Sequence, residues 1–353
     1  MRIPDVDVVA ACAVQAKKKR GLQPLALLAG LLGLVLPLAG QAAEAVDAPV
    51  QVRQIATFKP GSTETRFGGL EFVGGLEFTS KESLLGSISS IRFRPDGKSF
   101  VSVLDTGHWL TGELDRDGNG RPSGLSNFKI TAMRDASGDE PSGKGDIDAE
   151  GVTLRDGQVI VSFERRHRVD IYPDPGFEAA KPSRTLDILI PKGELRGNGS
   201  LETVVVAPEP SPLKGAVLTI AERSVDKQGR LYAAILEGPL KGQFKVKRDE
   251  PWDVTDGAFL PGGDLLLLER RFSFIGGVGM RIRRIAGDSI RPGAVIDGPV
   301  LLEADQNDQI DNMEGLDVVT GPDGRPHLIL ISDDNHSILQ RNLLLEFRLA
   351  EQG

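Results

Sequence analysis

Acidic residues recur at two fixed places in a repeated segment of this 353-residue chain. Each copy has a polar residue, a short apolar strand, a turn rich in Gly, Pro or Asp, a second apolar strand and then an acid. Carboxylates gathered in this way can bind a cation, transfer a proton or pair with arginine. The copies span residues 88–107, 148–167, 254–273 and 313–335, with a looser fifth copy at residues 201–224.

Aligning the copies defines a start position at the first strand and an end position after the second. Nearly all of these residues are acids, which a chance composition of roughly one acid in seven does not explain. If every repeat has the same orientation, one position forms a ring around a common axis. The start position holds Ser90, Glu150, Glu202, Asp256 and Glu314, and the end position holds Asp105, Glu164, Glu222, Glu269 and Asp333.

The elements that must position these acids are β-strands. Short runs rich in Val, Ile, Leu and Phe alternate with Gly, Pro and Asp clusters, without a long apolar period of 3.6 residues. Self-similar units of roughly 40 to 60 residues, each built on a hairpin, favour propeller blades over a sandwich. Five blades are visible, and the strand-like segments 50–58 and 343–349 would pair to complete a sixth. We therefore predict an all-β fold, a six-bladed β-propeller.

The start of the chain predicts a secretory signal. Basic residues 17–20 precede an apolar run at 22–40, and small residues follow. A retained membrane anchor is the alternative, because the run is close to the roughly 20 residues of a membrane span. Cleavage would remove Cys12, the only cysteine, so the mature protein would have no disulfide.

These features predict an order of segments along the chain. A signal at 1–43 precedes a strand and linker at 44–73, which would help to close the ring, and a propeller domain at 74–353. The expected product is a periplasmic or secreted protein with no stable membrane span after cleavage.

The charge balance favours cations as partners. The formal net charge is −8, and the predicted signal carries more basic than acidic residues, so its loss makes the remainder more acidic. An acidic domain without a lysine-rich block is not expected to bind nucleic acid. Oxygen-rich turns such as "ISDDNH" at 331–336 suit Ca²⁺. The predicted metal ligands are Glu150, Glu164, Asp256, Glu314, Asp333 and Asn335.

Arginines follow several of the end-position acids. Arg165 and Arg166 follow Glu164, and Arg270 and Arg271 follow Glu269. Because adjacent strand residues point to opposite faces, one arginine of each pair is expected to face the axis and hold an anionic group of a substrate. The competing interpretation is that the acids bind the next blade and pair with arginine for structural reasons.

Three segments together resemble the signature segments of the phytase-like domain family, described as having esterase-like activity of phytase. They are "DAEGVTLRDGQVIVSFERRHRV" from residue 148, "DGAFLPGGDLLLLERRFS…RIRRI" from residue 256 and "DNMEGLDVV…LILISDDN" from residue 311. The similarity runs from about Gly74 to about Leu349. The resemblance implies a six-bladed propeller in an exported bacterial protein, with hydrolase activity.

The residues favour metal-dependent hydrolysis of phosphate or other ester bonds. The chain has no G-x-S-x-G nucleophile elbow and no H-E-x-x-H zinc motif. A Ca²⁺ bound by the ring of acids around the axis would polarise a small anionic ester and activate water. Glu314, Glu150, His336 or His167 would take the proton. The alternative is a non-catalytic propeller that binds a protein or envelope component at its rim, with structural acids.

Overall fold

The computed structural model describes residues 44–141, 144–273 and 276–350, so the predicted signal lies outside the described residues. These residues form 24 β-strands and four short 3₁₀ helices, Lys144–Asp146, Phe177–Ala179, Lys192–Glu194 and Gly287–Ser289. Among them no helix has the length and apolar character that a membrane span requires. The prediction of an all-β fold is confirmed.

The strands form five sheets, which are the blades of a propeller. Blade 1 contains β1 (Val46–Asp47), β5 (Ile88–Phe93), β6 (Ser99–Leu104), β7 (His108–Arg116) and β8 (Pro122–Ala132). Blade 2 contains β9 (Ala149–Arg155), β10 (Gln158–Phe163), β11 (Arg168–Pro173) and β12 (Arg184–Leu186). Blade 3 contains β13 (Thr203–Val206), β14 (Val217–Val225), β15 (Leu231–Ile235), β16 (Gly242–Val246) and β20 (Val295–Ile296).

Blades 4 and 5 complete the ring. Blade 4 contains β17 (Asp253–Phe259), β18 (Leu265–Ser273), β19 (Gly277–Ile285) and β21 (Val300–Asp305). Blade 5 contains β2 (Val50–Ile55), β3 (Arg66–Phe67), β4 (Leu70–Ser80), β22 (Asn312–Thr320), β23 (Pro326–Asp333) and β24 (Asn342–Leu349). The inner strands are β5, β9, β13, β17 and β22. Each contacts the next, and β22 contacts β5, so the ring is closed.

The propeller has five blades, one fewer than the predicted six. Segments 50–58 and 343–349 do contribute strands to one sheet, but that sheet already contains the hairpin of residues 313–335. The sequence analysis did not predict β4, which pairs with β2 on one side and with β24 on the other. The two ends of the chain therefore widen blade 5 instead of building a separate blade.

The apolar core is divided into five clusters, one between each pair of neighbouring blades. Alternate residues of a strand point to opposite faces of its sheet. In β18, Leu265 and Leu267 face blade 3, whereas Leu266 and Leu268 face blade 5. Each blade is therefore apolar on both faces, and the polar residues are left to the strand ends and to the axis.

Candidate functional site

The inner strands carry bulges where they begin. The antiparallel pairing skips Ser89 in β5, Glu150 in β9, Thr255 in β17 and Glu314 in β22. A bulge leaves one residue unpaired and redirects its side chain. Glu202 directly precedes β13 in the remaining blade. Three carboxylates, from blades 2, 3 and 5, thus come to equivalent places around the axis.

These residues belong to a larger group that we call the axial acidic cluster. Asp148, Glu150 and Glu164 form its centre, because carboxylate oxygens of all three lie within 4.8 Å of one another. Asp148 precedes β9 and Glu164 directly follows β10, so both come from blade 2. The other members, whose charges influence these residues or one another, are Glu202, Glu222 and Glu314.

Burial and mutual repulsion favour the protonated form of several members. The pKa of Glu150 is raised well above its ordinary value by burial and then by Glu164 and Asp148. Burial, followed by Glu150 and Glu222, raises the pKa of Glu202 in the same way. Burial also raises the pKa of Glu164, although hydrogen bonds from the Ser200 N–H and with Glu202 oppose this change. The cluster therefore has more negative charge than its surroundings stabilise.

Arg270 is the cation on the blade 4 side of the cluster. Its Nη1 lies 2.6 Å from Glu314 Oε1, and its Nη2 lies 3.3 Å from Glu222 Oε1. Arg270 also donates a hydrogen bond to Asn312, whose Nδ2 donates to Glu314 Oε1 at 2.6 Å. Burial nevertheless raises the pKa of Glu314 to about 8, because the attraction of Arg270 does not outweigh the desolvation.

Asp256 does not join the cluster, and its predicted place at the start position is corrected. The bulge is at Thr255, so Asp256 lies one residue further along β17. Its carboxylate accepts hydrogen bonds from both Nη atoms of Arg92, each at 2.8 Å, from Ser90 Oγ and from the N–H groups of Leu316 and Gly257. A carboxylate with this many donors has no lone pair free for a metal.

Arg92 was missed by the analysis of acids, and it occupies the middle of the propeller. Its guanidinium also donates to the main-chain oxygens of Leu316, Val204 and Gly257, so it touches blades 3, 4 and 5 from blade 1. We call Arg92 and Asp256 the axial ion pair. The available signal was an arginine inside the otherwise uncharged strand "ISSIRF".

The arginine pairs divide as the strand geometry predicts. Arg165 Nε donates to Asp148 Oδ2 at 2.5 Å, whereas Arg166 is exposed and pairs with Asp146 outside the cluster. In blade 4, Arg270 contacts the cluster and Arg271 lies against the Trp252 ring, 5.1 Å from its centroid. One arginine of each pair therefore contacts the axial acidic cluster.

The end-position acids also divide into two kinds. Glu164 and Glu222 belong to the cluster, and Asp105 is among the charges that raise the pKa of Glu150. Burial raises the pKa of Asp333 to about 6, and its Oδ1 accepts a hydrogen bond from the Ile88 N–H. Glu269 is instead a structural residue. Its carboxylate is held by two arginines of the adjacent strand, Arg281 and Arg283.

The predicted residues Asn335 and His336 lie on the turn after β23. Both are exposed, and the His336 ring packs against Gly86. Within the described residues, no hydrogen bond joins either side chain to the axial acidic cluster. His167 lies nearer, because its Nδ1 is 3.0 Å from Ser200 Oγ and the Ser200 N–H binds Glu164. Burial lowers the pKa of His167.

The solved structures that this chain is similar to have low sequence identity to it. An endo-arabinase from Bacteroides thetaiotaomicron is 13% identical with a TM-score of 0.46, covering 76% of this chain and 96% of its own. A PQQ-bound aldose sugar dehydrogenase from Streptomyces coelicolor is 13% identical with a TM-score of 0.42, covering 86% and 99%. The RRP9 WD40 repeats are 13% identical with a TM-score of 0.43, covering 81% and 100%.

A search of the curated proteins finds no match. A family match covers residues 83–336, which is most of the chain and includes the inner strands of all five blades. The chain belongs to the Phytase-like family, described as "Esterase-like activity of phytase".

Proposed function

We propose that this protein is a metal-dependent hydrolase that cleaves phosphate or other ester bonds at the axial acidic cluster. The observation that carries the proposal is the convergence of Asp148, Glu150 and Glu164, whose carboxylate oxygens lie within 4.8 Å of one another. Family membership supports hydrolysis as the reaction class. The fold alone would not, because propellers carry many unrelated functions.

The donor set fits a hard divalent cation such as Ca²⁺. Every candidate ligand in the centre of the cluster is a carboxylate oxygen, the donor that Ca²⁺ prefers. Asp148, Glu150 and Glu164 would hold the ion, and a bound cation would offset the repulsion that raises the pKa of Glu150. When bound, such an ion polarises an ester oxygen and lowers the pKa of a bound water.

Within this proposal, Glu314 is the proton carrier. Its pKa of about 8 allows it to exchange a proton near neutral pH, as a general acid or base must. Arg270 and Asn312 both bind Glu314 Oε1 and so fix the direction of the carboxylate. Asp333 is a further carboxylate on the blade 5 side, and Asn335 and His336 remain predicted participants from the turn that follows it.

We assign small anionic esters as the substrate class. Arginines accompany the acids, and a guanidinium binds phosphate or carboxylate with two parallel hydrogen bonds. Action outside the cytoplasm, after removal of residues 1–43, is part of the proposal and is supported by the basic and apolar order of that segment. The net charge of −8 gives no support to a nucleic-acid partner.

The test measures cation binding and hydrolysis in the same protein. Purified protein would be assayed with p-nitrophenyl phosphate and p-nitrophenyl acetate, with Ca²⁺ or with chelator, and Ca²⁺ binding would be followed by calorimetry. We expect Ca²⁺-dependent hydrolysis that Glu150→Gln abolishes together with Ca²⁺ binding. The matched control is Glu64→Gln, which makes the same change at an exposed site.

Two results would contradict the proposal. Hydrolysis that is unaffected by chelator would exclude the cation, and Ca²⁺ binding that survives Glu150→Gln would place the ion elsewhere. Absence of both hydrolysis and Ca²⁺ binding would favour the non-catalytic binding module.

A further inference from the structure

A cavity opens beside the axial acidic cluster, between blades 4 and 5. Its volume is about 560 Å³, and Arg270 and Asn312 line it while also contacting Glu314. These two residues form a wall shared with the cluster. A molecule bound in the cavity would therefore lie next to the site where we propose hydrolysis.

The lining of the cavity combines arginines with apolar side chains. Phe272, Val278 and Leu339 supply the apolar part, and the exposed fractions of Phe272 and Leu339 are 68% and 87%. Large apolar side chains that remain this exposed around a concave surface are typical of a binding site. The cationic part consists of Arg223, Arg270 and Arg271.

Only one of these arginines has charge available for a ligand. Arg270 is engaged by Glu222 and Glu314, and Arg223 Nη2 lies 2.7 Å from Asp253. Arg271 has no carboxylate within ion-pair distance among the residues that the structure describes. The remaining acid of the lining, Asp311, is engaged by Arg341 at 3.3 Å.

Arg271 packs against an aromatic ring. Its Cζ lies 5.1 Å from the centroid of the Trp252 ring, and its side chain passes close to two glycines. A Cβ atom on Gly279 would lie 2.8 Å from Arg271 Nε, and one on Gly276 would lie 3.2 Å from its Nη1. Glycine at these two positions gives the guanidinium the space it occupies. A planar guanidinium matches the geometry of two oxygens of a phosphonate or carboxylate.

We propose that this cavity binds anionic amphiphiles, with the oxyanion on Arg271 and an alkyl or aryl group on Phe272, Val278 and Leu339. This inference rests on the proposed function only in naming such esters as the substrates. The binding itself requires neither the cation nor catalysis. The occupant we propose is a single soluble molecule of a size that a cavity of about 560 Å³ can hold.

The experiment measures binding of hexylphosphonate, methylphosphonate and hexanol by calorimetry in the presence of chelator. Phosphonates are not esters, so hydrolysis cannot remove them. We expect hexylphosphonate to bind roughly tenfold or more tightly than methylphosphonate, because part of the chain is buried. Hexanol is expected to bind at least tenfold more weakly than hexylphosphonate, because it has no group for Arg271.

Variants separate the two halves of the cavity. Arg271→Gln is expected to weaken hexylphosphonate binding roughly tenfold, and the exposed Arg121→Gln is the matched control. Phe272→Ala is expected to remove most of the preference for the hexyl chain without changing methylphosphonate binding. Its control is Ile338→Ala, a fully exposed apolar residue outside the cavity.

Three results would overturn the proposal. They are equal affinities for the two phosphonates, full affinity for hexylphosphonate in Arg271→Gln, and, in a parallel sedimentation assay, binding to phosphatidylglycerol vesicles without any binding of free hexylphosphonate. If hexylphosphonate does not bind but Ca²⁺-dependent hydrolysis of p-nitrophenyl acetate is observed, the cavity proposal fails and the proposed function stands. Absent hydrolysis with intact phosphonate binding would remove the proposed function alone.

Discussion

The axial acidic cluster and the axial ion pair differ in one respect that decides their roles. In the ion pair, every oxygen of Asp256 is satisfied by Arg92, Ser90 and two backbone N–H groups. In the cluster, Arg165 and Arg270 pair with Asp148, Glu222 and Glu314, but the pKa of Glu150 and that of Glu202 are still raised. The fully paired charge joins four blades, whereas the partly paired charge of the cluster is where we propose that a cation binds.

Removing the arginine of the ion pair should have the largest effect. Arg92→Met leaves Asp256 buried without its cation, and we expect a loss of about 3–5 kcal/mol in the free energy of unfolding. Urea denaturation measures this change. The control is Arg53→Met, since Arg53 forms an exposed pair with Glu77 that is expected to contribute less than about 1 kcal/mol. Equal losses in the two variants would contradict a central role for the ion pair.

A variant of Asp317 tests how much Arg92 stabilises the negative charge of a second buried carboxylate. Burial raises the pKa of Asp317 to about 6, and Arg92 only partly opposes this. A carboxyl whose pKa is higher in the folded than in the unfolded state binds a proton on folding, so stability rises as the pH falls from 7 to 4. We expect this rise to be smaller by about 2–3 kcal/mol in Asp317→Asn.

The measurement is urea denaturation of both proteins at several pH values. Identical pH profiles would show that Asp317 has an ordinary pKa in the folded protein.

In the cluster, removal of an acid should have opposite effects with and without a cation. Glu150→Gln relieves repulsion, so in chelator we expect the variant to be more stable than the parent by about 1–2 kcal/mol. In excess Ca²⁺ the order should reverse, because a ligand that binds only the native state stabilises only the parent. Thermal unfolding in both conditions checks the reversal, and parallel curves would exclude a shared cation.

The smallest effect is expected at Arg166. Its side chain is 70% exposed and pairs with Asp146, so Arg166→Gln should change stability by less than about 0.5 kcal/mol and leave Ca²⁺ affinity within about twofold. Arg165→Gln, which removes the ion pair between Arg165 and Asp148, should change the affinity more. Calorimetry compares them, and equal effects would mean that the side chain of Arg165 does not act on the cluster.

Periodicity was sufficient to predict the propeller, because alternating apolar strands and Gly-rich turns are local features. It was also sufficient to predict that Glu150, Glu202 and Glu314 converge on one axis. The prediction from periodicity failed where a shift of one residue in strand register decides which side chain joins the cluster. The bulge is at Thr255 and not at Asp256, so Asp256 pairs with Arg92 outside the cluster, and pairing with the neighbouring strand decides which residue bulges.

Glu269 shows a second limit. Its position in the repeat is that of Glu164, but its neighbours across the sheet are arginines of β19. Cross-strand partners are set by pairing between segments and not by the repeat itself. The blade count failed for a similar reason, because β4 has no counterpart in the other repeats.

The pairing of β4 with β24 has a consequence for biosynthesis. Leu70 pairs with Leu349, so the ring is closed by one strand that is synthesised early and one that is synthesised last. Four blades can assemble as the chain emerges, but the early strands β2 and β4 must wait with unsatisfied edges until residues 342–349 are released. The interval before that release is when a nascent chain of this protein is most open to mispairing with another, and when a holding chaperone would be of most use.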